Sequence, residues 1–189
     1  AVGAYNNSGT GSGAGHVRVF DLVGGAWTQV GADIDGEASS DFSGWSVALS
    51  SDGTRLAVGA YGNDGTGSYA GHVRVFDWSG SAWTQLGGDI DGEAADDRSG
   101  YSVALSSDGS RLAVGAPSND GGGSTAGHVR VFDWSGSAWT QVGADIDGEA
   151  AGDRSGTSVA LSSDGSRLAV GAYGNGSYAA TAGHVRGVE

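Results

Sequence analysis

The stretch SVALSSDGSRLAVGA, at residues 102–116, occurs three times in this chain and decides its fold. It recurs unchanged at residues 158–172, and at residues 46–60 with Thr54 in place of Ser110. Apolar and small residues alternate on both sides of a central Asp-Gly pair, which is the pattern of two strands joined by a tight turn. The stretch therefore predicts a β-hairpin that is repeated along the chain.

The sequence around this hairpin repeats with a period of 56 residues. Residues 57–112 and 113–168 are identical at 48 of 56 positions, residues 1–56 follow the same frame, and residues 169–189 begin a fourth copy. A period of this length with strand-type patterning is typical of an array of small sheets, each of which buries its faces against its neighbours. We therefore expect a single repeat array of three full repeats and a partial fourth.

One repeat is predicted to hold four antiparallel strands. In residues 45–100 the hairpin strands at 45–51 and 55–61 are followed by a Gly-rich loop, a strand at 71–77, a second tight turn and a strand within 83–90. Four antiparallel strands repeated radially form the blades of a β-propeller, and the small side chains of the first strand suit the crowded centre of a ring. We therefore expect an all-β, propeller-type array of four-stranded antiparallel blades, with a linear stack of sheets as the alternative.

The composition limits the classes of function. The chain has 38 glycines and one proline among 189 residues, a formal net charge of −13, no lysine and no cysteine. A chain this acidic repels phosphate backbones, so we expect no nucleic-acid partner. The lack of cysteine excludes disulfides and Cys-ligated zinc, and no apolar run approaches the ~20 residues of a membrane-spanning helix.

The stretch SGYSVALSSDGSRLAVGAP, at residues 99–117, resembles the FG-GAP repeat, which forms the blades of integrin α-chain propellers and of many microbial surface proteins. Gly-Ala-Pro stands at residues 115–117, whereas the other copies have Gly-Ala-Tyr, and Ser-Gly replaces Phe-Gly at residues 99–100. The resemblance covers the whole chain and implies a propeller with a binding or adhesive role rather than an enzyme. The family's calcium loop does not carry over, because residues 106–109 are too short to supply the roughly six to eight oxygen ligands of calcium.

Two kinds of loop are predicted to share one side of the array, here called the long-loop face: those that join the second strand to the third, and those that lead into the next repeat. The positions at which residues 57–112 and 113–168 differ fall at or near this face. This indicates either a binding surface on a constant scaffold or loops that tolerate drift. The residues predicted to contact a ligand are Trp45, Tyr61, Asn63, Asp64, Tyr69, Tyr101, Asn119 and Asp120.

The long-loop face is also acidic, because the segment DIDGE occurs at residues 33–37, 89–93 and 145–149. Alternate side chains of an extended segment lie on one side, so each segment could bind Ca²⁺ through three carboxylates. The alternative is a solvated turn whose aspartates accept hydrogen bonds from the local backbone. The candidate metal ligands are Asp33, Asp35, Glu37, Asp89, Asp91, Glu93, Asp145, Asp147 and Glu149.

Two other residue types recur once in each repeat. Equivalent positions of a ring lie far apart, so the histidines are expected to be structural rather than ligands of one shared ion. The tryptophans at the start of the fourth strand are expected to pack between neighbouring blades. The histidines are His16, His72, His128 and His184, and the tryptophans are Trp27, Trp83 and Trp139.

These observations predict a non-enzymatic binding or adhesion module, extracellular or at the cell surface, with a protein or glycan as partner. The alternative is a structural subunit of a self-assembling fibre or surface layer, joined through open blade edges. No residue pattern predicts a catalytic site. Because rings usually need about four to eight blades, we expect the array to be part of a longer or oligomeric propeller.

Overall fold

The computed structural model describes residues 1–176 and 183–188, and the regular elements in these ranges are all strands. The strands form four successive units, which we call blades 1 to 4. Blades 2 and 3 are five-segment antiparallel sheets, blade 4 has three strands, and blade 1 is divided into a three-stranded sheet and a two-stranded ribbon. The all-β prediction is therefore confirmed. Within the described ranges no helical segment has the length and apolarity that a membrane crossing needs.

The strand bounds follow the repeat. Blade 1 contains β1 (Val2–Ala4), β2 (His16–Arg18), β3 (Phe20–Val23), β4 (Ala26–Gln29) and β5 (Ile34–Asp35). Blade 2 contains β6 (Ser46–Leu49), β7 (Arg55–Ala60), β8 (His72–Trp78), β9 (Trp83–Gln85) and β10 (Ile90–Asp91). Blade 3 contains β11 (Ser102–Leu105), β12 (Arg111–Ala116), β13 (His128–Trp134), β14 (Trp139–Gln141) and β15 (Ile146–Asp147). Blade 4 contains β16 (Ser155–Leu161), β17 (Leu168–Ala172) and β18 (His184–Val188).

The repeated hairpin forms the first two strands of blades 2, 3 and 4, as its sequence predicts. In blade 2, Val47 pairs with Val58 and Leu49 pairs with Leu56. The tight turn between these strands holds Gly53 at a φ of 71°, a left-handed conformation that glycine adopts without steric penalty. β7 then pairs with β8, and β8 pairs with β9, so the strands follow one another across the sheet.

The fourth strand predicted within residues 83–90 is divided into two short segments that both pair with β8. Gln85 pairs with Phe76, and Ile90 pairs with Val73. The chain between Gln85 and Ile90 is longer than the matching stretch of β8, so it bulges outward. Gly87, with a φ of 80°, lies in this bulge.

The first strands of successive blades lie side by side, as expected at the centre of a propeller. The hydroxyl of Ser46 donates a hydrogen bond of 2.7 Å to the carbonyl of Gly100 in the linker that precedes β11. A Cβ atom on Gly59 would lie only 2.1 Å from that carbonyl oxygen, so the close approach of the blades requires glycine. Small residues on the inner strands therefore allow the blades to converge.

The hydrophobic core lies between blades rather than inside one sheet. Val17 and Ile34 of blade 1 pack against Leu56 and Phe76 of blade 2, and equivalent residues fill the next two junctions. Each blade thus buries both faces only through its neighbours, as in other repeat arrays.

The tryptophans of the fourth strands reinforce these junctions. The indole Nε1 of Trp83 donates to the carbonyl of Val30 at 3.1 Å, and that of Trp139 donates to Leu86 at 3.1 Å. The predicted packing role is therefore confirmed for both residues. The prediction is wrong for Trp27 of β4, which is 70% exposed.

Candidate functional site on the long-loop face

Backbone hydrogen bonds hold the two kinds of loop on the long-loop face together. The amide of Arg98 donates to the carbonyl of Tyr69 at 3.0 Å, and the amide of Ser99 donates to Ala70 at 2.9 Å. The same two bonds recur between residues 154–155 and 125–126. Side chains on these loops therefore have defined positions relative to one another.

Two of the predicted ligand contacts, Asn63 and Asn119, are buried within the loops. Oδ1 of Asn63 accepts a hydrogen bond from the amide of Gly65 at 2.8 Å. Nδ2 of Asn119 donates to the buried carboxylate of Asp97, which belongs to the preceding linker, at 3.1 Å. These asparagines therefore stabilise the shape of the loops, and their buried side chains present little surface to a ligand.

Asp64 and Asp120, also predicted as contacts, are exposed. One carboxylate oxygen of Asp64 accepts the amide of Tyr69 at 2.8 Å, and Asp120 accepts the amide of Thr125 at 2.6 Å. Both side chains close their own loop while remaining accessible to a ligand.

The remaining predicted contacts form an aromatic cluster at the entrance to the inner strands. The ring centroid of Trp45 lies 4.9 Å from that of Tyr61 and 5.3 Å from that of Tyr101. The ring of Tyr69 lies 6.5 Å from Tyr61. The structure thus brings together four residues from the loops of two neighbouring repeats.

Two further rings, which the sequence analysis did not single out, complete the aromatic cluster. Tyr5 lies 4.8 Å from Trp45, and Phe42 stacks on Tyr61 at 5.3 Å. Tyr5 occupies the repeat position of Tyr61, and Phe42 occupies that of Arg98. An alignment of all four copies of the repeat would therefore have pointed to both residues. Burial by the neighbouring rings raises the pKa of the Tyr61 phenol above its ordinary value.

Towards blade 4, the aromatic cluster gives way to two arginines. Arg98 and Arg154 take the place of Phe42 in their repeats, and both side chains are exposed. The guanidinium of Arg154 donates to the hydroxyl of Tyr173 and lies over its ring, 5.4 Å from the centroid. Together with Tyr101, these residues line a small depression.

The long-loop face holds large side chains in left-handed backbone conformations. The φ angle is 55° at Phe42, 59° at Arg98, 55° at Arg154 and 54° at Tyr69. This conformation costs an ordinary L-residue roughly 1–2 kcal/mol and favours glycine. The chain nevertheless carries aromatic and cationic side chains at these positions. We infer that these side chains offset the strain through packing or serve in binding.

A second group of polar side chains lies at the junctions between blades. Glu37 from one repeat and His72 and Asp89 from the next bring three potential ligand atoms within 4.8 Å of one another. The equivalent residues at the next junction are Glu93, His128 and Asp145. These groups could hold a metal ion.

The carboxylates of a single DIDGE segment do not converge in this way among the residues that the structure describes. Asp33 pairs with Arg18, whose Nε and Nη2 each donate to it at 3.0 Å. Arg74 of the next blade donates to the carbonyl of Asp35 at 2.7 Å and to the carboxylate of Glu37 at 3.3 Å. The segments therefore connect blades through arginine, an outcome that the sequence analysis did not consider.

The electrostatics at the junction favour a neutral imidazole. His72 is 2% exposed, and burial lowers its pKa; the nearby charge of Arg74 lowers it further, whereas Asp89 and Glu37 oppose the shift. Nδ1 of His72 lies 3.9 Å from the carboxylate of Asp89, beyond hydrogen-bond distance. A neutral ring is the form that binds metals, but the Arg74 guanidinium competes with a cation for Glu37.

The tight turns on the opposite side offer no calcium loop. Oδ1 of Asp108 accepts the amide of Ser110 at 3.0 Å and the hydroxyl of Ser106 at 2.7 Å. These hydrogen bonds lower the pKa of the Asp108 carboxyl to about 2. The carboxylate is thus occupied by its own turn, consistent with the departure seen in the sequence.

Comparisons with solved structures show the same fold. The chain is similar to hydrazine synthase from Kuenenia stuttgartiensis, with a TM-score of 0.55 and 17% identity, over 93% of this chain and 51% of that one. It is similar to the periplasmic gluconolactonase of Pseudomonas aeruginosa, with a TM-score of 0.52 and 17% identity, over 84% and 44%. A candidate 6-phosphogluconolactonase from Bacteroides uniformis gives a TM-score of 0.54 and 14% identity, over 82% and 40%.

At these identities the likeness is one of fold alone. The chain spans about half or less of the length of each of these structures. A comparison with curated proteins found no match.

A family model for the FG-GAP repeat matches the chain twice, at residues 30–76 and 90–132. Each match includes the last short strand of one blade and the first three strands of the next, ending within β8 or β13. The two matches end at equivalent positions of the 56-residue period, Phe76 and Phe132. By its matched segments and its blades, this chain contains FG-GAP repeats.

Proposed function

We propose that this chain is a non-enzymatic binding or adhesion module, extracellular or at the cell surface, whose long-loop face contacts a protein or glycan. The observation that carries the proposal is the aromatic cluster around Trp45, with two exposed arginines beside it. Clustered aromatic rings and arginines at a surface are typical of interaction sites. The FG-GAP family supports the propeller scaffold and an extracellular setting.

The variation between repeats supports the same face. Tyr69 and Tyr101 belong to the aromatic cluster, yet the next repeat carries Thr125 and Thr157 at these positions within a nearly identical scaffold. A rigid scaffold with variable loops is a common arrangement for binding.

The experiment compares the wild type with the double variant Tyr69→Thr, Tyr101→Thr on arrays of matrix proteins and glycans. The fold tolerates threonine at the equivalent positions, so we expect the variant to remain folded and lose at least about tenfold in affinity, or about 1.4 kcal/mol. Trp27→Ala, on the outer side of blade 1, is the control and should bind as the wild type does. Equal loss in the control, or no binding by the wild type, would contradict the proposal.

The second candidate is a structural subunit of a fibre or surface layer, within a longer or oligomeric propeller. It is favoured by large apolar side chains that are exposed on blades 1 and 4. These are Val2, Leu22, Val23, Trp27 and Val185. Light scattering of the purified chain tests it: an open-ended polymer supports the fibre, a discrete closed oligomer supports the binding module, and a monomer argues against assembly.

A divalent cation is also part of the proposal. The nitrogen and carboxylate donors of Glu37, His72 and Asp89 suit zinc, whereas calcium takes oxygen ligands and would use the DIDGE carboxylates. A cation that binds only the folded chain raises the Tm. We expect Zn²⁺ to raise the Tm and the double variant Glu37→Gln, Glu93→Gln to remove that shift. If calcium binds at the DIDGE carboxylates, Ca²⁺ should raise the Tm. A Tm that neither ion raises would refute the cation site.

A further inference from the structure

We propose that the depression between Arg98 and Arg154 binds a sugar ring that carries a carboxylate, so that the ligand of the long-loop face is an acidic saccharide. This inference rests on the proposed binding function of that face. Its evidence is the electrostatic environment of the two arginines, the rings beside them and the backbone around them.

Arg98 and Arg154 differ from other arginines in having no carboxylate partner within the described part of the chain. Six arginines lie 2.6–3.8 Å from a carboxylate oxygen: Arg18, Arg55, Arg74, Arg111, Arg130 and Arg186. The chain has 22 acidic residues against nine basic ones, so internal partners are abundant. A guanidinium is a planar fork that binds a carboxylate through two parallel hydrogen bonds. Arg98 is therefore available to an external carboxylate, and Arg154 can offer the N–H groups that do not donate to Tyr173.

The depression between the arginines has walls that suit a ring. Tyr101 and Tyr173 border it, together with Pro117, and Tyr101 connects it to Trp45 at 5.3 Å between ring centroids. The space it encloses is about 30 Å³, far below the roughly 300–1,000 Å³ of pockets that enclose a whole ligand. A sugar ring would therefore lie across the depression, against the aromatic rings and guanidinium groups that border it. The C–H face of a pyranose packs on aromatic rings, and further sugar units could extend towards Trp45.

The backbone around the depression disfavours an extended peptide. The amide of Ser118 donates to Asp97, and the amide of Thr157 donates to Arg154, each at 3.3 Å. Peptides that add to a sheet edge need unpaired main-chain groups. Recognition at this site must therefore come from side chains, namely the aromatic rings and the guanidinium groups.

The backbone conformation supports a role for the arginine side chains in binding rather than in stabilising the fold. Glycine is the favoured residue at the left-handed φ of 59° at Arg98 and 55° at Arg154. Both positions nevertheless carry arginine with an exposed side chain. The variant Arg98→Gly should therefore keep or raise stability while removing the charge.

The experiment measures binding by calorimetry and by the fluorescence of Trp45, which adjoins the site. The probes are trigalacturonate and sialyllactose, which carry carboxylates, and their neutral counterparts galactotriose and lactose, with triglutamate as an acidic peptide. We expect at least one carboxylated sugar to bind at least about tenfold more tightly than its neutral counterpart. Arg98→Gln, Arg154→Gln and Arg98→Gly should each weaken that binding at least about tenfold, with thermal stability retained.

The matched control is Arg18→Gln, which removes the same charge from an arginine that pairs with Asp33. It should bind as the wild type does. No binding of either carboxylated sugar at about 10 mM, equal binding of the neutral sugars, or equal binding of triglutamate would each overturn the inference. If these sugars fail but another ligand still depends on Tyr69 and Tyr101, the proposed binding function stands and only the acidic saccharide is wrong.

Discussion

Single residues on the long-loop face differ in how well they suit their backbone conformation. Ser40, Asp96 and Gly152 occupy one position of the repeat, with φ angles of 68°, 68° and 85°. A Cβ on Gly152 would meet no atom within 4 Å, so only the backbone conformation distinguishes glycine from serine there. Equivalent positions of the repeat thus hold strained residues, Ser40 and Asp96, and an unstrained one, Gly152.

We expect Ser40→Gly to raise the free energy of unfolding by about 0.5–1 kcal/mol, because it relieves the left-handed strain. The reciprocal variant Gly152→Ser should lower it by a similar amount. Chemical denaturation measures both. A loss of stability in both variants would show that the serine side chain makes a contact that outweighs its strain.

The tight turns should give the protein a defined sensitivity to acid. The pKa of the Asp108 carboxyl is lowered from 3.8 to about 2 by hydrogen bonds from the Ser110 amide and the Ser106 hydroxyl. A pKa below the unfolded value means that the ionised carboxylate stabilises the fold above about pH 4, and that this contribution is lost as the pH falls towards 2.

Asp108→Asn should therefore lower the Tm near neutral pH, and the difference from the wild type should shrink between about pH 4 and pH 2. Thermal unfolding followed by circular dichroism over this range is the measurement. Asp21→Asn removes the same charge from an exposed strand residue and serves as the control. A difference that does not vary with pH would rule out the ionised turn as the cause.

At the scale of strands, the approach of neighbouring blades depends on glycine. A methyl group on Gly59 would lie 2.1 Å from the carbonyl oxygen of Gly100, and the same geometry recurs between Gly115 and Gly156. Backbone atoms cannot move aside as a flexible side chain can, so the whole junction would have to shift.

We expect Gly59→Ala to lower the free energy of unfolding by about 2 kcal/mol or more, as overpacking does elsewhere. Gly88→Ala is the matched control, because a Cβ there meets no atom within 4 Å and the next repeat already carries Ala144. It should change stability by less than about 0.5 kcal/mol. Equal effects of the two substitutions in urea denaturation would contradict the close approach.

At the scale of the whole molecule, stability resides in the junctions between blades. Trp139 packs at the junction of blades 2 and 3 and donates to the carbonyl of Leu86, whereas Trp27 occupies the same repeat position and is 70% exposed. The same residue type is therefore partly buried against the core in one blade and exposed in another.

Trp139→Ala should accordingly lower the free energy of unfolding by about 2–3 kcal/mol, and Trp27→Ala should change it by less than about 0.5 kcal/mol. Denaturation monitored by circular dichroism measures both. Comparable losses at the two positions would mean that Trp27 is also buried in solution, which would support self-association of the chain through blade 1.

Local periodicity and turn chemistry predicted most of the strands correctly. The hairpin at 46–60 and its Asp-Gly turn are confirmed, and the strand predicted at 71–77 lies at His72–Trp78. The split between β9 and β10 could not be predicted, because the bulge depends on how the outer chain runs past β8. The burial of Asn63 could not be predicted, because periodicity places this residue on a loop without showing which side chains cover it.

By itself, the sequence determined the period, the four strands of a repeat, the long-loop face and the excess of negative charge. These properties depend on near neighbours in the chain and on composition. Only the tertiary structure decided which side chains meet: Glu37 with His72 across a junction, Phe42 with Tyr61 in the aromatic cluster, and Arg98 without a carboxylate. Such contacts join residues of different repeats, and the distance between them depends on how one blade packs on the next.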